Sequence, residues 1–301
     1  MEDRKRDLVL ASLVADSLAL GAHWMYDTEK IRKKIGRVDR LLEPLPGSFH
    51  PTKEQGEFTH YGDQAFVLLE SVAHLGDFDI EDFSSRWRAL FSDYKGYVDQ
   101  ATKATLQNLG RGMKPLEAGS SSSDLAGASR IAPLVCRYAQ DHDLLVRSAR
   151  DQTRMTHNHP LVVEGAEFFA TVCWKILQGE TPVSAIQRLA AEKYQNSPLS
   201  GWVERGLQSR EEDSVAVIGR FGQSCHADEA FSGVVHLIAR YEKDLKEALI
   251  QSVMAGGDSA GRGMIVGMVL GAYLGSQSLP DEWISGLKRE KEIRSLIDKI
   301  S

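Results

Sequence analysis

Apolar residues return every three to four positions along most of the chain. Val9, Leu13, Leu20 and Trp24 keep that period in the first segment, and Phe66, Leu69 and Val72 keep it in DQAFVLLESVAHL. The two-residue alternation of half-buried strands is scarce. Further helices are predicted at about 80–95, 99–109, 125–139, 160–178, 182–193, 228–241, 244–254 and 259–276, followed by a short polar C-terminal helix. This is the pattern of an all-α protein folded as one domain over residues 1–301. Two stretches interrupt it, GRVDRLLEPLPGSFHPTKEQGEFTHYG and GRGMKPLEAGSSSS. Irregular segments of that length inside a compact fold tend to be functional or mobile. The serine run reads as a flexible linker, with anion binding by its hydroxyls as the alternative.

The segment AGGDSAGRGMIVGMVLGAYLG carries glycines at 263, 267, 271 and 275, four apart, so they form one ridge that another helix can approach closely. Its uncharged run from Gly263 to Gly275 is 13 residues, short of the ~20 that a membrane span needs. This helix is therefore expected at the centre of a soluble bundle. Asp258 stands at its mouth, where a carboxylate favours the free N–H groups and the positive end of the macrodipole, and the plainest role for it is an N-cap. Asp63 repeats the arrangement after Gly62. Asp16 sits among Val9, Leu13 and Leu20, where an unpaired carboxylate is costly, so it needs a helix N-terminus, a base or an ion as partner.

Composition narrows the function. The chain has 42% apolar and 26% charged residues, and 36 basic against 42 acidic residues give a net charge of −6 without a basic block. That balance argues against nucleic-acid partners. Cys136, Cys173 and Cys225 are too few and too scattered for a disulfide framework or a zinc knuckle, which fits a reducing cytoplasm. The N-terminal apolar run contains Asp16, unlike a secretory signal. Of the cysteines only Cys225 has a Gly and a His nearby, and it reads as a small core residue or, alternatively, a thiol at a cleft.

ADSLALGAHW, YGDQAFVLLES, AGASRIAPL, MTHNHP and GGDSAGRGMIVGMVLGAYLG occur in the order and approximate spacing of the ADP-ribosylglycohydrolase family, which the sequence resembles over nearly its whole length. It is most similar to the branch with the J-type crystallins and selenoprotein J. The resemblance implies an orthogonal all-α bundle around a cleft for ADP-ribose and two magnesium ions. The family's Thr-Asp-Asp-Thr motif falls on Tyr61, Gly62, Asp63 and Gln64, and its Asp-Thr-Asp-Thr motif on Asp258, Ser259, Ala260 and Gly261. One acid survives in each.

The implied site then has Asp63 and Asp258 as catalytic carboxylates and as ligands of at most one weakly held magnesium ion. Asp16, Arg130, His157 and Ser259 contact the substrate, which is ADP-ribose or a related nucleotide-like molecule. Of the phosphate loop, Asp124, Leu125 and Ala126 replace the usual Gly-Asn-Gly, while Gly127, Arg130 and Pro133 keep its character. Arg130 also has a plain reading as a surface or helix-pairing residue, and His157 as a helix-flanking one. His157 and His159 lack a third ligand nearby for a transition metal. The implied activity is hydrolysis of a ribosyl glycosidic bond. The alternative is a non-catalytic ligand-binding or crystallin-like protein that kept the bundle and lost the metals. The oligomeric state is left open.

Overall fold

The computed structural model describes residues 2–301. The elements are α1 (Glu2–Ala19), α2 (Thr28–Lys34), α3 (His60–Leu75), α4 (Ile80–Ser92), α5 (Gln100–Gly110), α6 (Pro115–Ala118), α7 (Ala126–Ser129), α8 (Ala132–Arg137) and α9 (His142–Thr156). They continue with α10 (Pro160–Leu177), α11 (Pro182–Lys193), α12 (Pro198–Gln208), α13 (Ser214–Phe221), α14 (Ala227–Arg240), α15 (Leu245–Met254), α16 (Ser259–Leu274), α17 (Asp281–Ser285) and α18 (Glu290–Ile300). The fold is all-α, and among the described residues β structure is limited to the isolated bridges Ser120–His157 and Asp124–His226. No described helix is long and apolar enough to cross a membrane.

The glycine ridge explains the centre. Every residue of α16 from Ser259 to Ala272 is buried, and the ridge lies on α1. A Cβ on Gly267 would stand 2.6 Å from the Ala11 carbonyl oxygen, and one on Gly271 would stand 2.7 Å from Ala11 Cβ. The absent side chains let the two backbones meet. Around this pair pack α15, α10, α14 and α7.

Six helices have no counterpart in the predicted set: α2, α6, α9, α12, α13 and α17. The reason is clearest in α9, whose buried face includes Ser148, Gln152, Thr153 and Thr156 beside Leu145, Ala149 and Met155, so its apolar period is broken by polar residues. The segment predicted at 125–139 divides into α7 and α8 because Pro133 lacks an N–H and its ring crowds the preceding turn. Trp24 falls outside the first helix, which ends at Ala19, and takes the left-handed conformation at φ 63°.

The serine run is an ordered strap rather than a linker. Ser120 N–H donates to Thr156 O at 3.0 Å, Asn158 N–H to Ser120 O at 2.8 Å, and Ala227 N–H to Ser123 O at 2.8 Å.

Candidate functional site

The site is built on the N-termini of α3 and α16. Thr59 caps α3, its Oγ1 accepting from Tyr61 N at 3.1 Å. Asp16 reaches over from α1 and completes that cap, accepting from Thr59 N at 2.7 Å, Thr59 Oγ1 at 2.6 Å and Gly62 N at 3.1 Å. The partner that a carboxylate in an apolar helix requires is thus a helix mouth. Burial pushes the Asp16 carboxyl up to about 6 against the pull of the Thr59 bonds.

Asp63, one turn into α3, is ion-paired with Lys53 at 2.6 Å and accepts from the Tyr94 hydroxyl. Burial raises its pKa and Lys53 opposes that rise.

Asp258 is placed by two glycines with left-handed backbones, Gly256 at φ 70° and Gly257 at φ 63°. Any Cβ on Gly257 would stand 2.1 Å from Gln223 O. Asp258 occupies the N-cap position of α16, but its side chain makes no capping bond. The expectation of an N-cap is corrected here, because His23 takes that role, its Nδ1 accepting from Ala260 N at 3.3 Å. Asp258 Oδ1 lies 3.7 Å from His23 Nε2 and has no hydrogen-bond partner, although Asp258 is only 1% exposed. Burial pushes its carboxyl up to about 6, opposed by the Arg262 guanidinium. Arg262 is fixed in turn on Ser252 O and Gly256 O at 2.8 and 2.7 Å. Ser259 is buried beside Asp258 with its hydroxyl unpartnered.

Arg130 is buried at the α7–α8 break, which overturns its reading as a surface residue. Its guanidinium donates to Gln64 Oε1 and Thr156 Oγ1, Trp87 also donates to Gln64, and Thr156 Oγ1 lies 2.9 Å from His157 Nδ1. Arg130 therefore ties α3 to the end of α9 and fixes the surroundings of His157. Burial, followed by the Arg130 charge, lowers His157 to about 4. Cys225 lies at the edge of this group, its thiol donating to Asp124 Oδ1 at 3.0 Å, and burial pushes that thiol above its usual range.

One residue joins these parts. His60, the first residue of α3, interacts electrostatically with Asp16, Asp99, His157 and Asp258 and with His23 and His50. The ring nitrogens of His23, His50 and His60 converge to within 4.8 Å of one another, and all three residues are buried. Neither nitrogen of His50 has a hydrogen-bond partner. His60 Nε2 stands 3.2 Å from Asp99 Oδ2, and Asp99 accepts from Thr102 N at 2.6 Å. Burial alone would raise the Asp99 carboxyl, but His60 holds it well below the usual range. Trp24 and Tyr97 pack on His60, and Phe49 stands edge-on to Trp24. The rim is marked by Tyr26 and Phe49, each about half exposed.

The histidine cluster, with Tyr97, Asp99 and Arg262, has no place among the candidates drawn from the sequence. Its three histidines come from two loops and a helix start at no chelating interval. The usable signal was the adjacency of His60 to the YGD motif and of His23 to the first-helix motif.

The magnesium implied by the resemblance does not fit these residues, since that ion takes near-octahedral oxygen ligands. Asp63 is engaged by an ammonium and a phenol, and Asp258 faces an imidazole and a guanidinium. Two of the lost motif positions have a steric reason. A Cβ at Gly62 would stand 2.3 Å from Asp16 Oδ2, and a Cβ at Gly261 would stand 2.4 Å from Asp258 Oδ2. At both mouths a carboxylate leans into space that a side chain would need.

The family model described as ADP-ribosylglycohydrolase matches residues 1–301. The ADP-ribosyl-[dinitrogen reductase] glycohydrolase of Rhodospirillum rubrum is 42% identical over 305 residues, which cover 100% of this chain and 96% of that protein. Crystallin J1A of Tripedalia cystophora is 25% identical over 321 residues, covering 100% of this chain and 97% of the crystallin. A solved ADP-ribosylglycohydrolase-related protein complex superposes with a TM-score of 0.78 at 25% identity, over 99% of this chain and 97% of that one. With the family model spanning the whole chain and the acids of both motifs at two helix mouths, the protein belongs to the ADP-ribosylglycohydrolase family.

Proposed function

We propose that this protein hydrolyses a ribosyl glycosidic bond in an ADP-ribosylated or related nucleotide-like substrate, with Asp258 as the acid–base group. The observation that carries this reading is the Asp258 carboxylate, buried, with one oxygen lacking a hydrogen-bond partner and its pKa raised to about 6. A group so poised exchanges a proton near neutral pH. Cleavage passes through an oxocarbenium-like state, which needs a carboxylate to activate water or protonate the leaving group. Asp63, held by Lys53, supplies fixed negative charge from the neighbouring mouth rather than a freely titrating group. Ser259 and His157 contact the substrate, while Asp16 and Arg130 act by positioning the α3 mouth and His157. The relatives' glycohydrolase names support the reaction class.

The test is release of ADP-ribose from ADP-ribosylated protein, measured for the full chain and for Asp258→Asn, with and without millimolar magnesium. Turnover is expected to be the same in both buffers and to fall at least 100-fold in Asp258→Asn, since general acid–base catalysis contributes about 10²–10⁴. The similarity to crystallin J1A favours a second reading, a member without turnover. Absence of hydrolysis, with ADP-ribose affinity retained in calorimetry, selects it.

A further inference from the structure

We propose that His23, His50 and His60 form a binding site for one first-row transition-metal dication of the zinc type, in the place of the family's magnesium pair. Three imidazoles bring one nitrogen each to within 4.8 Å of the others in a buried position. Ligation by zinc at about 2.0–2.1 Å would bring tetrahedral nitrogens to about 3.3 Å, so their separations close by up to about 1.5 Å. Neutral imidazole suits zinc, iron and nickel, whereas magnesium requires oxygens. The donor set has therefore changed in kind, not merely thinned.

Two further observations point to a metal rather than to packed rings. Both nitrogens of His50 are buried without a hydrogen-bond partner, a state that core histidines avoid. The core histidine of this same protein, His236, shows the contrast, with Ser209 and Ser214 hydroxyls at 2.8 and 2.9 Å on its two nitrogens. Behind His60, Asp99 stands 3.2 Å from Nε2 and is itself anchored on Thr102 N–H. A carboxylate behind a histidine is the usual device that orients a metal-ligating imidazole and fixes its tautomer. Neither ring nitrogen of His60 has a hydrogen-bond partner, so the ring has a nitrogen to offer the ion. Asp258 Oδ1, unpartnered and 3.7 Å from His23, supplies a fourth donor or faces a metal-bound water. Around the rings Asp16, Asp99 and Asp258 face Lys53 and Arg262, so acids outnumber fixed cations before a dication enters. Trp24 and Tyr97 form the apolar wall.

His23 is the most costly of the three ligands to recruit. Its Nδ1 accepts the Ala260 N–H at 3.3 Å, so the proton of the neutral ring sits on Nε2. Ligation requires the ring to turn from Ala260 or that proton to leave. Replacement of His23 should therefore weaken the site less than replacement of His50.

The experiment uses the full chain, stripped with a chelator and titrated with zinc and with cobalt(II) by calorimetry and elemental analysis. One equivalent is expected, undisplaced by millimolar magnesium. His50→Gln should bind at least 100-fold more weakly; it removes no side-chain hydrogen bond, and its melting temperature and far-UV circular dichroism, expected near those of the unmutated chain, check that the fold is retained. Asp99→Asn should bind about 10–100-fold more weakly. His74→Gln, on the exposed side of α3, should bind as the unmutated chain does. The cobalt visible spectrum of the unmutated protein gives an independent reading, with a nitrogen-rich low-coordinate band expected. Failure to take up a stoichiometric ion, uptake undiminished in His50→Gln, or the spectrum of the hydrated cobalt ion would each overturn the proposal. These readouts do not require turnover, so they stand apart from the glycosidic reading.

Discussion

Alanine at two glycines of the α16 ridge should act in opposite directions. Each substitution gains the same helix propensity, about 0.8–1.0 kcal/mol relative to glycine. At Gly263 the new Cβ meets Ser252 Oγ at 3.6 Å and Ala15 Cβ at 3.7 Å, ordinary van der Waals contacts. Burying that methyl adds up to about 0.8 kcal/mol, so Gly263→Ala should stabilise by about 1–2 kcal/mol. At Gly267 the Cβ stands 2.6 Å from Ala11 O and 3.0 Å from Ala11 C. These are backbone atoms in the middle of α1, which cannot rotate away as a side-chain tip does. The helices must separate, and overpacking of this kind costs about 1–3 kcal/mol, so Gly267→Ala should range from neutral to about 2 kcal/mol less stable. The gap between the variants is then about 1–4 kcal/mol, and it does not depend on the propensity scale because both share that contribution. Urea denaturation at equilibrium measures it directly, and a melting difference of about 2–8 °C should accompany it. Equal stabilities, or the reverse order, would refute the close seam between α1 and α16. Gly267→Leu should be worse than Gly267→Ala on the same grounds.

Three other outcomes follow from buried polar groups. His236 is lowered to about 4 by burial and then by Arg240, below its unfolded value near 6.5, so the unfolded chain takes up a proton first. Stability should fall by up to about 3 kcal/mol as pH drops from 6.5 towards 4, and the deficit of His236→Gln relative to the unmutated chain should shrink over that window. Lys53→Met leaves the partly buried Asp63 without its counter-charge and should cost about 1–3 kcal/mol, while adding Asp63→Asn should recover much of the loss in the same denaturation assay. Asp16→Asn turns an acceptor of three hydrogen bonds into a group with one oxygen and should cost about 1–3 kcal/mol, read as a lowered melting temperature at neutral pH.

How much of this was legible depended on whether function and packing used the same residues. The glycine spacing and the apolar period located α16 and its burial, because both arise from one helix packing at close quarters. Asp16, Asp63 and Asp258 could be singled out because a carboxylate beside an apolar run must be explained. Helix α9 escaped because its inner face is built from the polar Ser148, Gln152, Thr153 and Thr156, which bond neighbouring segments and, through Thr156, Arg130. The side chain that caps α16 was misassigned for another reason. Propensity names Asp258, but the left-handed turn through Gly256 and Gly257 aims that carboxylate elsewhere, and an imidazole from a distant loop takes its place. His50 reaches the site through an irregular segment whose path no periodicity encodes, and Asp99 reaches it as the N-cap of α5, whose direction the apolar period does not encode.

The seam between α1 and α16 also orders the events of folding. The two helices come from distant parts of the chain, so the contact that shapes the centre of the protein closes a very long loop and belongs among the late, slow steps. During synthesis α1 emerges first and finds no cover for Leu8, Ala11 and Ala15 until α16 has been made. A product ending before Ser259 would present that apolar face to the solvent and to other copies of itself.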